Sequence, residues 1–328
     1  MSEIRSGKVH AGAAALNNTD PLWPRASAWL KPADANSNYD LGLFGIPAHL
    51  TSISKTNAHL TPAAIREALQ RYSTFNWSTN KDVAELSFAD FGDVADPDSA
   101  EGEARTASLA HEVSSRSKLA IGLGGDNSVT YAMAKGVFTN SAGTGIVENA
   151  GLITFDAHHD LRDGVSNGSP VRRLVEEAGL NGKRIVQIGI ADFSNSAVYA
   201  KRAKDFGIHV IPRTALRSRS VQDVIAEALQ VAGAAGGPIH VDFDVDVCDR
   251  AVVPACPAAA PGGISADEFR AFCFEIGQAA GRANQNSSAP QVRSVDFTEI
   301  DASADSADGR TVRLAALGLL ELAAGFML

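Results

Sequence analysis

Short apolar runs alternate with longer amphipathic segments along most of this chain. The runs have the length and bounding residues of buried strands, and the segments between them have helical spacing. Strands are predicted near residues 40–47, 119–123, 151–156, 184–190, 207–211, 238–244 and 292–297. Helices are predicted near residues 61–69, 104–116, 128–133, 169–180, 196–205, 220–234, 265–280 and 310–325.

This order of strands and helices predicts one large α/β domain. Strands joined through helices are parallel and covered on both faces, because such crossover connections are nearly always right-handed. No Pro/Ser-rich linker or change of composition divides the chain. We therefore predict a polar N-terminal arm over residues 1–36, held to the body by Trp23 and Trp29, and a single domain over residues 37–328.

The strand predicted at 151–156 ends in closely spaced acidic and imidazole side chains. In extended backbone, side chains two residues apart project to the same side, so Asp156, His158 and Asp160 converge at the strand end. Two carboxylates and an imidazole in that arrangement suit a divalent metal ion. The carboxyl end of a strand is also where open α/β sheets build their sites.

A second acidic pattern ends the strand predicted at 238–244. Asp242, Asp244 and Asp246 alternate with apolar residues, so that one face of this segment is entirely carboxylate. Carboxylates at this spacing repel one another unless cations lie among them. Alone, the pattern is typical of a strand end followed by capping aspartates. The presence of the first pattern on another strand favours metal binding instead.

Composition and charge narrow the class of protein. The 328 residues are 45% hydrophobic and 20% charged, as in an ordinary globular protein. The net charge of −9 and the lack of a basic cluster argue against a nucleic-acid partner. No apolar run has the length of a transmembrane helix, and the N-terminus lacks the apolar core of a signal peptide. Three cysteines without metal-type spacing favour reduced thiols in a cytoplasmic protein: Cys248, Cys256 and Cys273.

Five ordered motifs resemble those of the ureohydrolase family, which includes arginases, agmatinases and formimidoylglutamases. The motifs are Gly124–Ser128, Asp156–Asp160, Asp244–Asp249, Pro261–Gly263 and Asp296–Asp305. The resemblance implies a three-layer α-β-α domain with a mostly parallel, eight-stranded central sheet. It also implies two Mn²⁺ ions per subunit and a homo-oligomer, often a trimer or a hexamer.

The resemblance further implies roles for single residues. Asp156 and Asp244 would bridge the two ions, and Glu299 would face the cationic amidine or guanidine group of the substrate. These three are the predicted catalytic residues, and a metal-bound hydroxide would be the nucleophile. The remaining implied ligands are Asp160 for one ion, and His158 and Asp246 for the other.

Two segments favour the formimidoylglutamase branch of the family. Ser166–Pro170 resembles the S-N-G-T-P segment of that branch, with Asn167 where arginases and agmatinases tend to carry a proton-transferring histidine. Asp308–Ala316 resembles its D-G-R-T-x-R-x-A-A pattern. The implied reaction is the Mn²⁺-dependent hydrolysis of N-formimidoyl-L-glutamate to L-glutamate and formamide, a step of histidine degradation. Because this substrate carries two carboxylates, the predicted substrate-binding residues are Arg162, Asn167, Ser169 and Arg172, together with Glu299.

One position departs from the family pattern. The G-G-D-H motif of the family ends in a metal-binding histidine, and this chain has Asn127 there. An amide oxygen is a weaker ligand than imidazole, so Asn127 is expected to ligate weakly or through water, and a site with one ion is the alternative to a site with two. Two alternatives stay open: a guanidino hydrolase that releases urea from arginine, agmatine or a guanidino acid, and a metal-depleted, non-catalytic binding protein on the same fold.

Overall fold

The computed structural model describes residues 20–140, 143 and 145–328, and eleven strands lie among them. The strands are β1 (Lys31–Pro32), β2 (Tyr39–Ile46), β3 (Phe75–Asn76), β4 (Lys81–Asp82), β5 (Phe88–Asp93), β6 (Ser117–Gly124), β7 (Gly151–Phe155), β8 (Ile185–Ile190), β9 (His209–Pro212), β10 (Pro238–Asp244) and β11 (Gln291–Thr298). Nine of them form one sheet in the order β1-β5-β2-β6-β11-β10-β7-β8-β9, and every neighbouring pair is parallel. Strands β3 and β4 form a separate antiparallel pair.

Helices connect these strands. They are α1 (Thr61–Ala68), α2 (Ala100–Arg116), α3 (Val129–Phe138), α4 (Pro170–Glu176), α5 (Ala197–Phe206), α6 (Arg213–Leu216), α7 (Val221–Ala232), α8 (Ala266–Gln285) and α9 (Arg310–Phe326). Several begin where a serine accepts a hydrogen bond from a backbone N–H of the first turn, and Ser265 forms a full capping box with Glu268. None of the helices in the described ranges is long and apolar enough to cross a membrane.

The sheet is buried on both faces. On β2, Leu41 and Leu43 join one apolar cluster, whereas Phe44 and Ile46 join another on the opposite face. This is the alternation that a strand imposes on its side chains. The first cluster also takes in residues of α8 and α9, and the second takes in residues of α2 and α3. The predicted three-layer α/β architecture is confirmed.

The sheet has nine strands, and the expected number of eight was wrong by one. Strand β5 was missing from the seven predicted strand segments. The other strand of this sheet without a prediction is β1, a two-residue segment that pairs with β5 at the sheet edge. It lies within residues 1–36, which we predicted to be an arm, and the buried Trp29 packs nearby against Phe88. Trp23 is half exposed. Residues 1–19 of the predicted arm lie outside the described residues, and the domain boundary at residue 37 stays a prediction.

A stack of aromatic rings supports the strand ends that carry the acidic motifs. Phe243 of β10 stacks on Phe155 of β7 at a centroid distance of 4.5 Å and on Phe297 of β11 at 5.4 Å. All three rings are fully buried. Because Phe243 lies between Asp242 and Asp244 in the chain, packing of its ring fixes the direction in which these carboxylates project.

We expect Phe243→Ala to destabilise the protein strongly. Removing a buried ring that touches two others should lower the free energy of unfolding by about 3–5 kcal/mol, since it costs both burial and packing. Urea unfolding measures the change. Phe75→Ala is the matched control, because Phe75 is 44% exposed and removal of its side chain should cost much less stability. Equal effects of the two substitutions would contradict the central role of the stack.

Candidate metal centre and substrate site

The carboxyl ends of three neighbouring strands bring most of the predicted site residues together. Strands β11, β10 and β7 lie side by side in the sheet. Glu299 follows the last residue of β11, Asp244 ends β10, and Asp156 follows the last residue of β7. Since the strands are parallel, these ends meet at one edge. The order of strands in the sheet therefore joins motifs that are far apart in the chain.

Three side chains at this edge form a group that fits a divalent cation. Ligand atoms of Asp156, His158 and Asp246 all lie within 4.8 Å of one another. Nδ1 of His158 lies 2.6 Å from Oδ2 of Asp246 and 3.5 Å from Oδ1 of Asp156. Oδ2 of Asp156 is buried and has no hydrogen-bond partner among the described residues. Such an oxygen is costly unless a cation takes the missing partner's place, and carboxylates with an imidazole suit Mn²⁺.

The electrostatics of the group also favour a cation. Burial, with the charge of Asp246, raises the pKa of Asp156 to about 7. Burial and neighbouring carboxylates likewise raise the pKa of Asp160 and of Asp244 well above the usual range. Burial alone would lower the pKa of His158, but Asp246 and Asp156 outweigh it and raise the pKa to about 12. A divalent ion would relieve this repulsion and keep the carboxyls ionised.

Asp160 and Asp244 border this group and are engaged by nearby N–H donors. Oδ1 of Asp244 accepts a hydrogen bond from the backbone N–H of Asp246 at 2.8 Å. Oδ2 of Asp160 accepts one from Nδ2 of Asn127 at 2.6 Å. Asp160 has a φ of 53°, a left-handed conformation that is unfavourable for most residues other than glycine and is concentrated at functional sites. The assignment of both aspartates as metal ligands stays a prediction.

Asn127 turns its amide nitrogen, and not its oxygen, toward the acidic residues. Its Oδ1 instead accepts hydrogen bonds from the hydroxyls of Thr130 at 2.7 Å and Thr298 at 3.1 Å. An amide nitrogen has no lone pair to offer a metal ion. Direct ligation by Asn127 would therefore require its amide to turn over, and its role as a ligand stays a prediction.

Glu299 is held from two sides. Its Oε1 accepts hydrogen bonds from the backbone N–H of Asn127 at 2.7 Å and from Nδ2 of Asn167 at 2.9 Å. No hydrogen bond from a described residue ends on its Oε2. Burial and the charge of Asp126 raise the pKa of Glu299 to about 8, and its φ of 66° is again left-handed. The structure thus fixes a buried carboxyl beside the metal group.

The predicted substrate-binding residues fall into two classes. The amide of Asn167 is fully engaged, because its Oδ1 accepts from the backbone N–H of Ile53 at 3.0 Å while its Nδ2 donates to Glu299. The hydroxyl of Ser169 closes its own loop by hydrogen bonds with the backbone of Ser166. These contacts favour a role in shaping the site for both residues, and direct substrate binding by them stays a prediction.

The two predicted substrate-binding arginines, Arg162 and Arg172, differ in whether their guanidinium groups are already engaged within the protein. All three guanidinium nitrogens of Arg172 are occupied: Nε and Nη2 donate to the carbonyls of Arg162 and Gly164, and Nη1 to Glu176. Arg162 is exposed, and no hydrogen bond or ion pair of its guanidinium with a described residue is present. Arg162 is therefore the candidate that remains available to a substrate carboxylate, whereas the contacts of Arg172 favour a structural role.

Sequence reasoning missed a layer of buried polar residues that lies below Asp156, His158 and Asp246. Asp242 pairs in register with Asp296 on β11, and burial with the charge of Asp296 raises its pKa well above the usual range. Nε2 of His240 lies 3.2 Å from Asp296, and the Thr130 hydroxyl also reaches that carboxylate at 3.1 Å. Asp242 therefore belongs to this buried layer below Asp156, His158 and Asp246, although the alternating pattern of the sequence groups it with Asp244. The only sequence signal that could have placed Thr130 in this layer is its position three residues after Asn127.

We expect the stability of the metal-free protein to fall between pH 5 and pH 8. The carboxyls of Asp156 and Glu299 have folded-state pKa values of about 7 and about 8, above their unfolded values of 3.8 and 4.5. The folded state therefore binds more protons over this range, and its free energy of unfolding decreases as they leave, by on the order of a few kcal/mol. Urea unfolding at both pH values in a chelator measures this. Saturating Mn²⁺ should reverse most of the loss at pH 8; equal metal-free stability at pH 5 and 8 would contradict the expectation.

Comparisons with known proteins identify the family of this chain. A sequence model of the arginase family matches residues 39–325. The chain belongs to the arginase family. It is 33% identical to the formimidoylglutamase of Halalkalibacterium halodurans over 282 residues, which cover 84% of this chain and 83% of the relative.

Two solved structures of the arginase family share its fold. The crystal structure of formimidoylglutamase from Bacillus subtilis matches with a TM-score of 0.84 and 30% identity over 94% of each chain. A structure of Trypanosoma cruzi formiminoglutamase with Mn²⁺ matches with a TM-score of 0.80 and 25% identity, over 93% of this chain and 98% of that chain. The resemblance drawn from the five motifs is confirmed, and the chain is an arginase-family hydrolase related to formimidoylglutamases.

Proposed function

We propose that this protein hydrolyses N-formimidoyl-L-glutamate to L-glutamate and formamide with the help of Mn²⁺. The observation that carries the proposal is the convergence of Asp156, His158 and Asp246 at the carboxyl ends of the strands, where Glu299 is also held. An ion site beside a buried carboxylate suits the cleavage of a cationic C–N group. The similarity to formimidoylglutamases over most of the chain supports this substrate over guanidino compounds.

The acidic residues would divide the binding of the metal between them. Asp156, His158 and Asp246 would hold one divalent ion, and Asp160 and Asp244 would complete the binding of a second, with Asp156 and Asp244 shared. Bound Mn²⁺ supplies a Lewis acid that lowers the pKa of water and polarises the substrate. Whether one ion or two bind depends on Asn127, which contributes only a nitrogen in its present orientation.

Glu299 would recognise the amidinium end of the substrate. Its Oε1 is fixed by two N–H donors, and its Oε2 is left to accept from a substrate N–H. A charge-assisted hydrogen bond of this kind is stronger than a neutral one and orients a planar group. Asn167 would act by holding Glu299. At the other end of the substrate, Arg162 would pair with a carboxylate of the glutamate part.

A product assay tests the proposed function. The protein is stripped of metal, loaded with Mn²⁺ and supplied separately with N-formimidoyl-L-glutamate, agmatine, arginine and guanidinobutyrate. We expect formamide and glutamate from the first substrate and little urea from the others. Urea as the main product would select the guanidino-hydrolase alternative. No product from any substrate would select the non-catalytic alternative, and metal analysis of the same sample counts the bound ions.

We expect Asn127→His to tighten the binding of Mn²⁺. An imidazole at this position offers a nitrogen lone pair beside Asp160 where the present amide offers only N–H. The apparent dissociation constant, measured by calorimetric titration, should fall by about tenfold or more, which corresponds to about 1.4 kcal/mol. Asn127→Ala is the control, because it removes the amide without adding a ligand. Tighter binding by both variants, or by neither, would contradict the explanation.

Assembly and location complete the proposal. We infer a cytoplasmic homo-oligomer, a trimer or a hexamer, from the family resemblance and from three cysteines that are all buried and free. Light scattering on the purified protein measures the number of subunits directly.

A further inference from the structure

The loop after β7 carries three proposed metal ligands on a backbone that has left the sheet. Asp156, His158 and Asp160 alternate there with Ala157 and His159. The left-handed φ of Asp160 shows that this backbone is not in its most favourable conformation. Such a conformation persists only where surrounding groups hold it. The holding groups are side chains that belong to β8 and to the loop after it, and the proposed function assigns them no role.

Asn195 bridges the two peptide groups that flank His158. Its Oδ1 accepts a hydrogen bond from the backbone N–H of His159 at 2.9 Å, and its Nδ2 donates to the carbonyl of Ala157 at 2.9 Å. That carbonyl also accepts from the backbone N–H of Ala191 at 3.0 Å. A single amide therefore fixes the backbone on both sides of a proposed metal ligand.

Gln187 makes a second, similar pair of contacts with the next residue. Its Nε2 donates to the carbonyl of His159 at 2.9 Å, and its Oε1 lies 2.7 Å from Nδ1 of His159. Because an amide oxygen only accepts, this contact places the proton of the imidazole on Nδ1. Gln187 is fully buried on β8, so the anchor for the loop is part of the sheet itself.

The opposite side of the same loop is fixed by Asp246, a proposed ligand that lies just after β10. The backbone N–H of Ala157 donates to Oδ1 of Asp246 at 2.9 Å. The backbone of Ala157 is thus held by Asp246 through its N–H and by Asn195 through its carbonyl. A loop released from β8 would be free to shift relative to Asp246, whose Oδ2 lies 2.6 Å from Nδ1 of His158.

We propose that Asn195 and Gln187 are positioning residues for the metal centre, and that they set its affinity for a divalent cation by fixing the backbone of residues 157–159. The inference rests on the proposed metal centre, although not on the choice of substrate. Groups that orient metal ligands in this way typically change metal affinity by about 10- to 100-fold when they are removed. Asn195 is only partly buried, so its loss should perturb the core little.

The test measures Mn²⁺ affinity without any substrate. Mn²⁺ is titrated into metal-free wild-type protein, Asn195→Ala, Asn195→Asp and Gln187→Met, and free Mn²⁺ is followed by electron paramagnetic resonance. We expect the dissociation constant of Asn195→Ala and Gln187→Met to rise by about 10- to 100-fold. Asn195→Asp should recover only part of the affinity, because it keeps the acceptor for His159 but sets a carboxylate oxygen, which cannot donate, against the Ala157 carbonyl.

A matched control separates positioning from general stability. Asn181→Ala removes a comparable hydrogen bond, from Lys183 to an asparagine side chain, just before β8 and at the opposite edge of the sheet. It should leave Mn²⁺ affinity unchanged, and metal-free urea unfolding shows whether its stability matches that of Asn195→Ala. An affinity of Asn195→Ala within twofold of wild type would overturn the proposal, even if Gln187→Met fails to fold. Wild-type protein that binds no Mn²⁺ would overturn the metal centre itself, and with it this inference.

Discussion

Asp246→Ala should abolish hydrolysis of the substrate. It should also abolish Mn²⁺ binding at Mn²⁺ concentrations that saturate the wild-type protein. Asp246 supplies an oxygen 2.6 Å from Nδ1 of His158 and accepts the hydrogen bond of the Ala157 N–H. Alanine removes a direct ligand and also releases the loop that carries the others. Because loss of a group that merely orients a ligand weakens metal binding by about 10- to 100-fold, we expect loss of a ligand to exceed 100-fold.

Calorimetric titration with Mn²⁺ and the formamide assay measure the two effects of Asp246→Ala. The matched control is Asp205→Ala, since Asp205 lies exposed on α5 and, among the described residues, forms an ion pair with Lys201 alone. That exposed pair contributes little to stability, so both readouts should stay at the wild-type level. Retained Mn²⁺ affinity in Asp246→Ala would show that the group of Asp156, His158 and Asp246 does not hold the ion.

Glu299→Gln should lower kcat/KM and leave Mn²⁺ binding nearly unchanged. The substitution keeps the size of the side chain and removes the charge that would face the amidinium. Losing one partner of a buried, hydrogen-bonded charge pair costs about 2–5 kcal/mol, which corresponds to roughly 30- to several-thousandfold in rate. The amide can keep its oxygen toward the two present donors, the backbone N–H of Asn127 and Nδ2 of Asn167, but it then turns an N–H group instead of an acceptor toward the substrate.

Steady-state kinetics with N-formimidoyl-L-glutamate, run beside a Mn²⁺ titration of the same sample, measures the effect of Glu299→Gln. Glu101→Gln, at an exposed position in the first turn of α2, is the control for loss of one carboxylate charge. A variant that loses Mn²⁺ in parallel with activity would reassign Glu299 to the binding of metal. Wild-type kinetics would remove it from the substrate site.

The parts of the molecule that follow from local patterns were predictable. Strands β7 and β10 are apolar runs that end in alternating acidic residues, so the pattern indicated both the strands and the direction of the carboxylates. The meeting of Asp156 with Asp246 followed from the rule that parallel strands build sites at their carboxyl ends. Helices with a clear N-terminal signal were placed within a few residues, as at Thr61 and Ser265.

What the sequence could not predict depends on contacts between distant segments. Strand β1 has two residues and no pattern of its own, and it exists because the edge of β5 offers unpaired backbone groups. The orientation of the Asn127 amide depends on hydrogen bonds from the nearby Thr130 and from Thr298, which lies far away in the chain. Arg172 was predicted to bind substrate because of its place beside the acidic loop, but on helix α4 its guanidinium donates to the carbonyls of Arg162 and Gly164.

The order of the central strands has a consequence for how the protein is made. Asp156 is synthesised well before Asp246, and β11, which is the neighbour of β10 and carries Glu299 past its end, comes later still. A chain that is still growing on the ribosome therefore lacks part of the ion-holding group until β10 has emerged. Manganese supplied during translation would find no high-affinity place on the early segment. With the proposed metal centre, loading with the ion must follow near-complete synthesis, and a supply of manganese would act on finished chains.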